Sequence, residues 1–281
     1  GDLDKILGNV AKTAITGKTL ENAIDTVAEL CVSAVETAGD AESVKVVSFP
    51  GGSLEDSYLY EGVIVNKDYV LDGEDDYTDV LLINTGLQNE KSEDNVQVQL
   101  DAKSYQTYKA SGKTNLISLA KNIVDVLPNG GVVFVRDKVN DHVCAYLKKN
   151  NIMVVRHTPE STLKALSKVT DSVVCQTPEE VESASKATVS RQKHNDVWYL
   201  FVSSDNKHSE ASLVLRGATS HTLDEVERGF DDALGVVSLV LKNNNFVVGG
   251  GIAYARMAAH LRQHAAQIGG RAQMAIEDFA D

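Results

Sequence analysis

Two Gly-Lys-Thr tripeptides, Gly17-Lys18-Thr19 and Gly112-Lys113-Thr114, are the first residues whose types suggest chemistry, because a lysine and a hydroxyl after a glycine can hold a phosphate and its magnesium. A phosphate loop also needs a glycine five residues before the second one, so that backbone N–H groups curl round the anion. Those places hold Lys12 and Thr107, and neither tripeptide follows a strand pattern. His260 and His264 stand one helical turn apart, a spacing that can hold a metal. The residues between them are Leu261, Arg262 and Gln263, with no glutamate to act as a base, and they read as surface histidines. Six carboxylates crowd one stretch (Asp68, Asp72, Glu74, Asp75, Asp76, Asp79), and Gly73 even falls at the sixth place of a calcium loop counted from Asp68. Val70 occupies the third, ligand-bearing place and Asp79 the twelfth, where a longer bidentate glutamate belongs. The stretch reads as a solvated acidic loop, and no metal site is expected.

Two further features carry possible chemistry. Asp232 lies on a stretch whose Leu223, Val226, Phe230, Ala233, Leu234 and Val237 form one apolar stripe at helical spacing. Asp232 falls roughly opposite that stripe, beside Glu225, Arg228 and Gly235, so pattern alone makes it a solvated carboxylate. Gly249-Gly250-Gly251 follows a short strand pattern and opens a helical one, where backbone can approach a ligand closely at a helix N-terminus. An ordinary strand-to-helix turn accounts for the same triplet.

The elements that must position these residues come in blocks. Residues 3–14 and 20–37 have helical periodicity, the second with Leu20, Ala23, Ile24, Val27, Leu30, Cys31, Ala34 and Val35 on one face and Gly39 closing it. The period then drops to two, predicting strands over 44–49, 58–65, 79–83 and 96–100. From residue 114 helices and strands alternate: helix 116–127, strand 132–135, helix 140–150, strand 152–155, helix 161–168, strand 172–175. Strands follow at 188–191, 197–202 and 211–215, and helices return at 222–241, 252–267 and 271–279, after a short strand at 245–248. Helices at both ends round a β-rich middle predict an α/β (α+β) fold of discontinuous layout, with both ends of the chain pairing into one helical domain and the middle inserted as a second.

Composition bounds the function. At 281 residues the chain is long enough for two or three domains, and 43% hydrophobic with 24% charged residues is ordinary globular usage. A formal charge of −13 repels a phosphate backbone, so no nucleic-acid partner is expected. No apolar run approaches the ~20 residues of a membrane span, so no membrane association is expected either. Three scattered cysteines (Cys31, Cys144, Cys175) suit a reducing, cytoplasmic location.

Four blocks, in order and spacing, resemble the group II chaperonins, the archaeal thermosome and eukaryotic CCT subunits. They are Leu215-Arg216-Gly217-Ala218-Thr219, the run from Asp224 to Leu234, Gly249-Gly250-Gly251, and Gly269-Gly270 through Phe279-Ala280-Asp281. Residues 11–18 are similar to the family's approach to its intermediate domain, and 60–67 to its approach to the apical domain. The resemblance implies an intermediate domain in two halves (1–52 and 206–244), an inserted β-sandwich/α apical domain that binds clients and forms the lid (53–205), and the start of an equatorial segment (245–281). The phosphate-binding loop and the magnesium-holding aspartate of a family member find no match, so the chain is expected to be a fragment of a longer subunit.

The resemblance implies roles as well. Asp232 matches the family's intermediate-domain carboxylate, which orients the water that attacks the γ-phosphate. Lys18 is similar in place to a lysine that senses that phosphate. Gly249, Gly250 and Gly251 would lie against the nucleotide, although Val248 stands where the family has proline. Asn140, His142, Val143, Tyr146 and Lys149 fall on the apical helix that faces clients, and residues 93–127 take the place of the lid protrusion, where the match is poorest. The implied function is ATP-dependent folding of non-native proteins in a double-ring chamber, with ATP and Mg2+ held by the full-length subunit and identical or paralogous subunits as ring partners. The alternative is a stand-alone client holder without ATPase activity.

Overall fold

The computed structural model describes residues 26, 29–31, 33–35, 37–88, 116–205 and 210–217, together with 219, 220, 223, 224, 227, 228, 230, 231 and 234. The elements expected at 3–14, 96–100, 245–248, 252–267 and 271–279 lie outside these residues. Ten strands are described: β1 (Val44–Pro50), β2 (Tyr58–Tyr60), β3 (Val63–Val65), β4 (Asp76–Ile83), β5 (Gly131–Val135), β6 (Ile152–Val155), β7 (Val174–Cys175), β8 (Ser185–His194), β9 (Val197–Ser203) and β10 (Ala211–Gly217). The chain divides into two compact units, Gly1–Glu61 with Ser209–Asp281, and Gly62–His208.

The first unit joins both ends of the chain through a three-stranded sheet in the order β1-β10-β2, with β1 parallel to β10 and β2 antiparallel to it. Side chains alternate across a strand, so Ala211, Leu213 and Leu215 of β10 share a face with Val44 and Val46 of β1. That face packs against Cys31, Ala34, Val35 and Ala38 from the helical residues before β1, and against Leu223, Phe230 and Leu234 from those after β10. Burying Phe230 or Leu234 stabilises this core by roughly 1.5–3 kcal/mol each. β10 ends on Gly217 for a packing reason. A Cβ there would fall 2.9 Å from Leu223 Cδ2, and Leu223 is 1% exposed.

The second unit is built on a seven-stranded mixed sheet ordered β3-β9-β8-β4-β5-β6, with β7 also on β4. Both faces are covered, which explains the near-continuous apolar runs of the parallel strands. Val80, Leu82, Val132, Phe134, Met153 and Val155 point into one core with Leu163, Leu166 and Val169 of the helix Glu160–Thr170. Leu81, Ile83, Val133, Val135, Ile152 and Val154 point into the other, with Val143, Cys144 and Leu147 of the helix Asp141–Lys149 and Leu116, Ala120 and Ile123 of the helix at 116–126. The β8–β9 hairpin turns at Asn195 and Asp196, both at positive φ (48° and 63°), which matches a two-residue turn to the twist of its strands.

Three expectations change. The strand expected over 58–65 is two strands, β2 and β3, which pair with different partners in different sheets on either side of Glu61-Gly62. In place of two facing sheets, the second unit's described strands form one continuous sheet. β4 makes this possible by pairing with β8 along Asp76–Val80 and with β5 along Val80–Ile83, so that it joins the antiparallel strands to the parallel ones. The strand expected at 188–191 extends to Ser185–His194, because β8 is paired by β4 and β9 and needs no apolar alternation at its polar ends.

Candidate functional site

The residues with implied chemistry fall into two groups. Asp232, Lys18, Gly249, Gly250 and Gly251 lie outside the described residues, whereas Asn140, His142, Val143, Tyr146 and Lys149 are all described.

Around Asp232 the neighbouring positions are informative. Leu223, Phe230 and Leu234 are buried in the core of the first unit, and Asp224, Arg228 and Asp231 are exposed. The apolar stripe read from the sequence therefore faces the sheet at every position described. Glu227 is half-buried and accepts a hydrogen bond from Ser48 Oγ at 2.7 Å, which ties this stretch to β1. Next to it, Arg216 of the Leu-Arg-Gly block is held in place. Its N–H donates to Ser57 Oγ at 3.0 Å and its Nε to the Gly51 carbonyl at 3.0 Å. Asp56 accepts from the backbone N–H of Ser53 at 2.7 Å and from its hydroxyl at 3.1 Å, and these bonds hold its carboxyl below the usual carboxylate range.

The helix Asp141–Lys149 begins at Asn140, whose side chain accepts from the His142 N–H at 2.9 Å and satisfies one of the orphan donors of the first turn. Asp141 in the first turn and Lys148 and Lys149 in the last both complement the helix dipole. Val143 is 2% exposed and belongs to the core with Leu147. His142 and Lys149 are exposed, and Tyr146 is half-buried against the same core. The outward face of this helix is thus polar with one aromatic edge.

The acidic loop is held by an arginine. Arg191 on β8 grips Asp68 with two bonds (Nε to Oδ1 at 2.8 Å, Nη2 to Oδ2 at 3.0 Å) and Asp72 with a third (Nη1 to Oδ1 at 2.8 Å). The guanidinium holds the Asp72 carboxyl below its ordinary range. No group of three metal-ligating side chains occurs among the described residues. Neither Arg191 nor Ser48 was singled out by the sequence. A lone arginine amid strand residues, opposite an acid-rich run in an acidic chain, is the signal that could have marked Arg191.

Residues 2–281 match the family model described as the TCP-1/cpn60 chaperonin family. The chain is 33% identical over 296 residues to thermosome subunit alpha of Halobacterium salinarum, covering 100% of this chain and 52% of that protein. It is 30% identical to thermosome subunit beta of Thermoplasma acidophilum, covering 100% and 54%. It therefore spans about half the length of the curated relatives it matches. Among solved structures, the open-state monomer of a group II chaperonin from Methanococcoides burtonii superposes with a TM-score of 0.56 at 17% identity, covering 86% of this chain and 67% of that one, a likeness of fold.

Proposed function

The chain belongs to the TCP-1/cpn60 chaperonin family, and we propose that it is the intermediate and apical part, with the start of the returning equatorial segment, of an ATP-dependent group II chaperonin subunit. The observation that carries this is the family match over residues 2–281, joined to thermosome relatives matched along the whole chain. In this reading the complete subunit assembles with identical or paralogous copies into stacked rings in the cytoplasm and encloses non-native protein. Three buried free thiols, Cys31, Cys144 and Cys175, suit a reducing compartment.

Division of labour follows the two units. The first unit holds the stretch leading to Asp232 against its sheet by Leu223, Phe230 and Leu234, so its polar side is available to meet a nucleotide when the domain swings. Asp232 then orients the attacking water, a task of positioning and electrostatics rather than covalent chemistry. Lys18 senses the γ-phosphate and Gly249, Gly250 and Gly251 approach the nucleotide, and Mg2+ held by the full-length subunit would supply neutralisation of the phosphate charge. In the second unit His142, Tyr146 and Lys149 present the client-facing side of their helix. Asn140 caps that helix and Val143 anchors it to the core.

Light scattering on the complete native gene product tests the assembly. A particle mass of many copies of a subunit longer than this chain is expected, and a mass near one copy of this chain would overturn the ring reading.

A further inference from the structure

β6 (Ile152–Val155) is the terminal strand of the seven-stranded sheet, with β5 on one side. A bare edge of this kind, four apolar residues long, is a template for pairing with another strand. Here the chain covers it with its own acidic loop. Val70 N–H donates to the Val154 carbonyl at 2.9 Å. Tyr69 is buried in the core on one face of the sheet, and Val70 and Leu71 pack against the core on the other. Tyr69-Val70-Leu71 thus caps the edge through the Val70 bond, with side chains on both faces but without the residue-by-residue alternation of a paired strand, and it is not a strand.

What keeps it there is largely polar and comes from across the sheet. Arg191 of β8 receives Asp68 and Asp72 on its guanidinium, and its backbone N–H donates to the Asp75 carbonyl at 2.7 Å. The guanidinium lies 4.0 Å from the Trp198 ring centroid and 5.6 Å from that of Tyr69. The Asp72 side chain is 83% exposed and the Asp68 side chain 33%, so the Asp72 half of the grip is the more strongly screened by solvent. The closed arrangement is also imperfect, because Tyr69 Oη is buried with no hydrogen-bond partner among the described residues.

We propose that Asp68–Asp75 is a strap latched by Arg191, and that its release bares the β6 edge to an extended apolar segment of a non-native polypeptide. The occupant follows from what the edge already holds: an aromatic, β-branched and aliphatic tripeptide whose backbone donates to Val154. A client strand of that pattern replaces it by β-augmentation. The inference rests on the chaperonin reading for the source of the segment and on the geometry alone for the latch.

Two readouts on the complete chain test it. One is hydrogen exchange at the amides of residues 69–75 and 152–155. The other is binding of a labelled, end-blocked hexapeptide with the strap's own sequence, Lys67 to Asp72. Trp198 is the single tryptophan, so its fluorescence reports the Arg191 stack directly. Arg191→Lys keeps the charge but loses the planar fork, and it should speed exchange in both segments by about tenfold and allow the hexapeptide to bind. Asp72→Asn, at a side chain 83% exposed, should give about threefold. Raising salt on the unaltered chain should move it in the same direction. Exchange at 152–155 and hexapeptide binding unchanged in Asp72→Asn and at high salt would overturn the latch. Neither readout measures ATP turnover or refolding, so failure here leaves the chaperonin reading standing, and failure of that reading leaves these two measurements to decide the latch.

Discussion

Ser48 on β1 and Glu227, 179 residues later in the chain, are joined by a 2.7 Å hydrogen bond. It pins the polar side of the stretch leading to Asp232 at a point where the core contacts of Leu223 and Phe230 constrain only the apolar side. Ser48→Ala leaves a half-buried carboxylate without this donor and should cost about 1 kcal/mol, read as a lower denaturant midpoint at unchanged slope. Glu227→Gln keeps an acceptor oxygen for Ser48 and should cost less. Equal midpoints for Ser48→Ala and the unaltered chain would show that the bond is not formed in solution.

The last residue of β10 tests the packing between that strand and the residues after it. Gly217→Ala drives a methyl to 2.9 Å from Leu223 Cδ2 and 3.2 Å from Cγ, in a core where Leu223 is 1% exposed. Overpacking of this kind costs about 1–3 kcal/mol, seen as a lower melting temperature. The double variant with Leu223→Ala should be less than additive, because shortening Leu223 removes the clash. Strict additivity would mean that the two positions do not touch.

Burial pushes the Cys31 thiol up to about 12 from 9.0, and burial raises Cys144 and Cys175 as well. In the unfolded chain Cys31 ionises near its ordinary value, while in the folded chain it stays neutral. Its contribution is therefore complete below about pH 9 and is lost as pH rises toward about 12. Stability measured by denaturant across that window should fall less steeply for Cys31→Ala than for the unaltered chain, whatever the absolute cost of the cavity. Thiol reagents at pH 8 should label none of the three until the chain unfolds. Parallel pH slopes, or rapid labelling of Cys31, would contradict its burial.

On the helix Asp141–Lys149, cap and surface separate cleanly. Asn140→Ala removes the acceptor for the His142 N–H and should lower stability by about 1 kcal/mol. His142→Ala and Lys149→Ala, both at exposed positions, should leave stability within about 0.5 kcal/mol and change only the binding of an unfolded model protein, measured by suppression of its aggregation. If the two surface variants destabilise the chain as much as the cap variant does, the polar face is structural.

The α/β alternation from 116 to 175 was legible because parallel strands buried on both faces are short apolar runs, and the helices between them carry a clear apolar stripe. The break between Tyr60 and Val63 was not, since Glu61-Gly62 interrupts the apolar and aromatic run for only two residues and what divides the strands is the choice of partner. Arg191 escaped for a related reason. Its partners Asp68 and Asp72 are brought to it by the sheet, and nothing local in the strand Ser185–His194 announces them. Asp232 is singled out only through resemblance, because a carboxylate off the apolar stripe looks the same in the sequence whether it meets solvent or a phosphate.

Asp232 is the residue on which the ATPase reading turns. Nearby, Asp231 is exposed, Phe230 and Leu234 are buried, and Glu227 is tied to Ser48; the sequence pattern sets Asp232 off the apolar stripe, so its replacement is expected to spare those core contacts. In the complete subunit Asp232→Ala should lower ATP turnover by about 10²–10⁴-fold, the range for a lost positioning base, with nucleotide binding unchanged. Asp232→Asn should fall nearly as far, because an amide fills the space but cannot accept the water's proton. Turnover and binding lost together would point to a nucleotide contact instead, and near-normal turnover in both variants would remove Asp232 from the chemistry altogether.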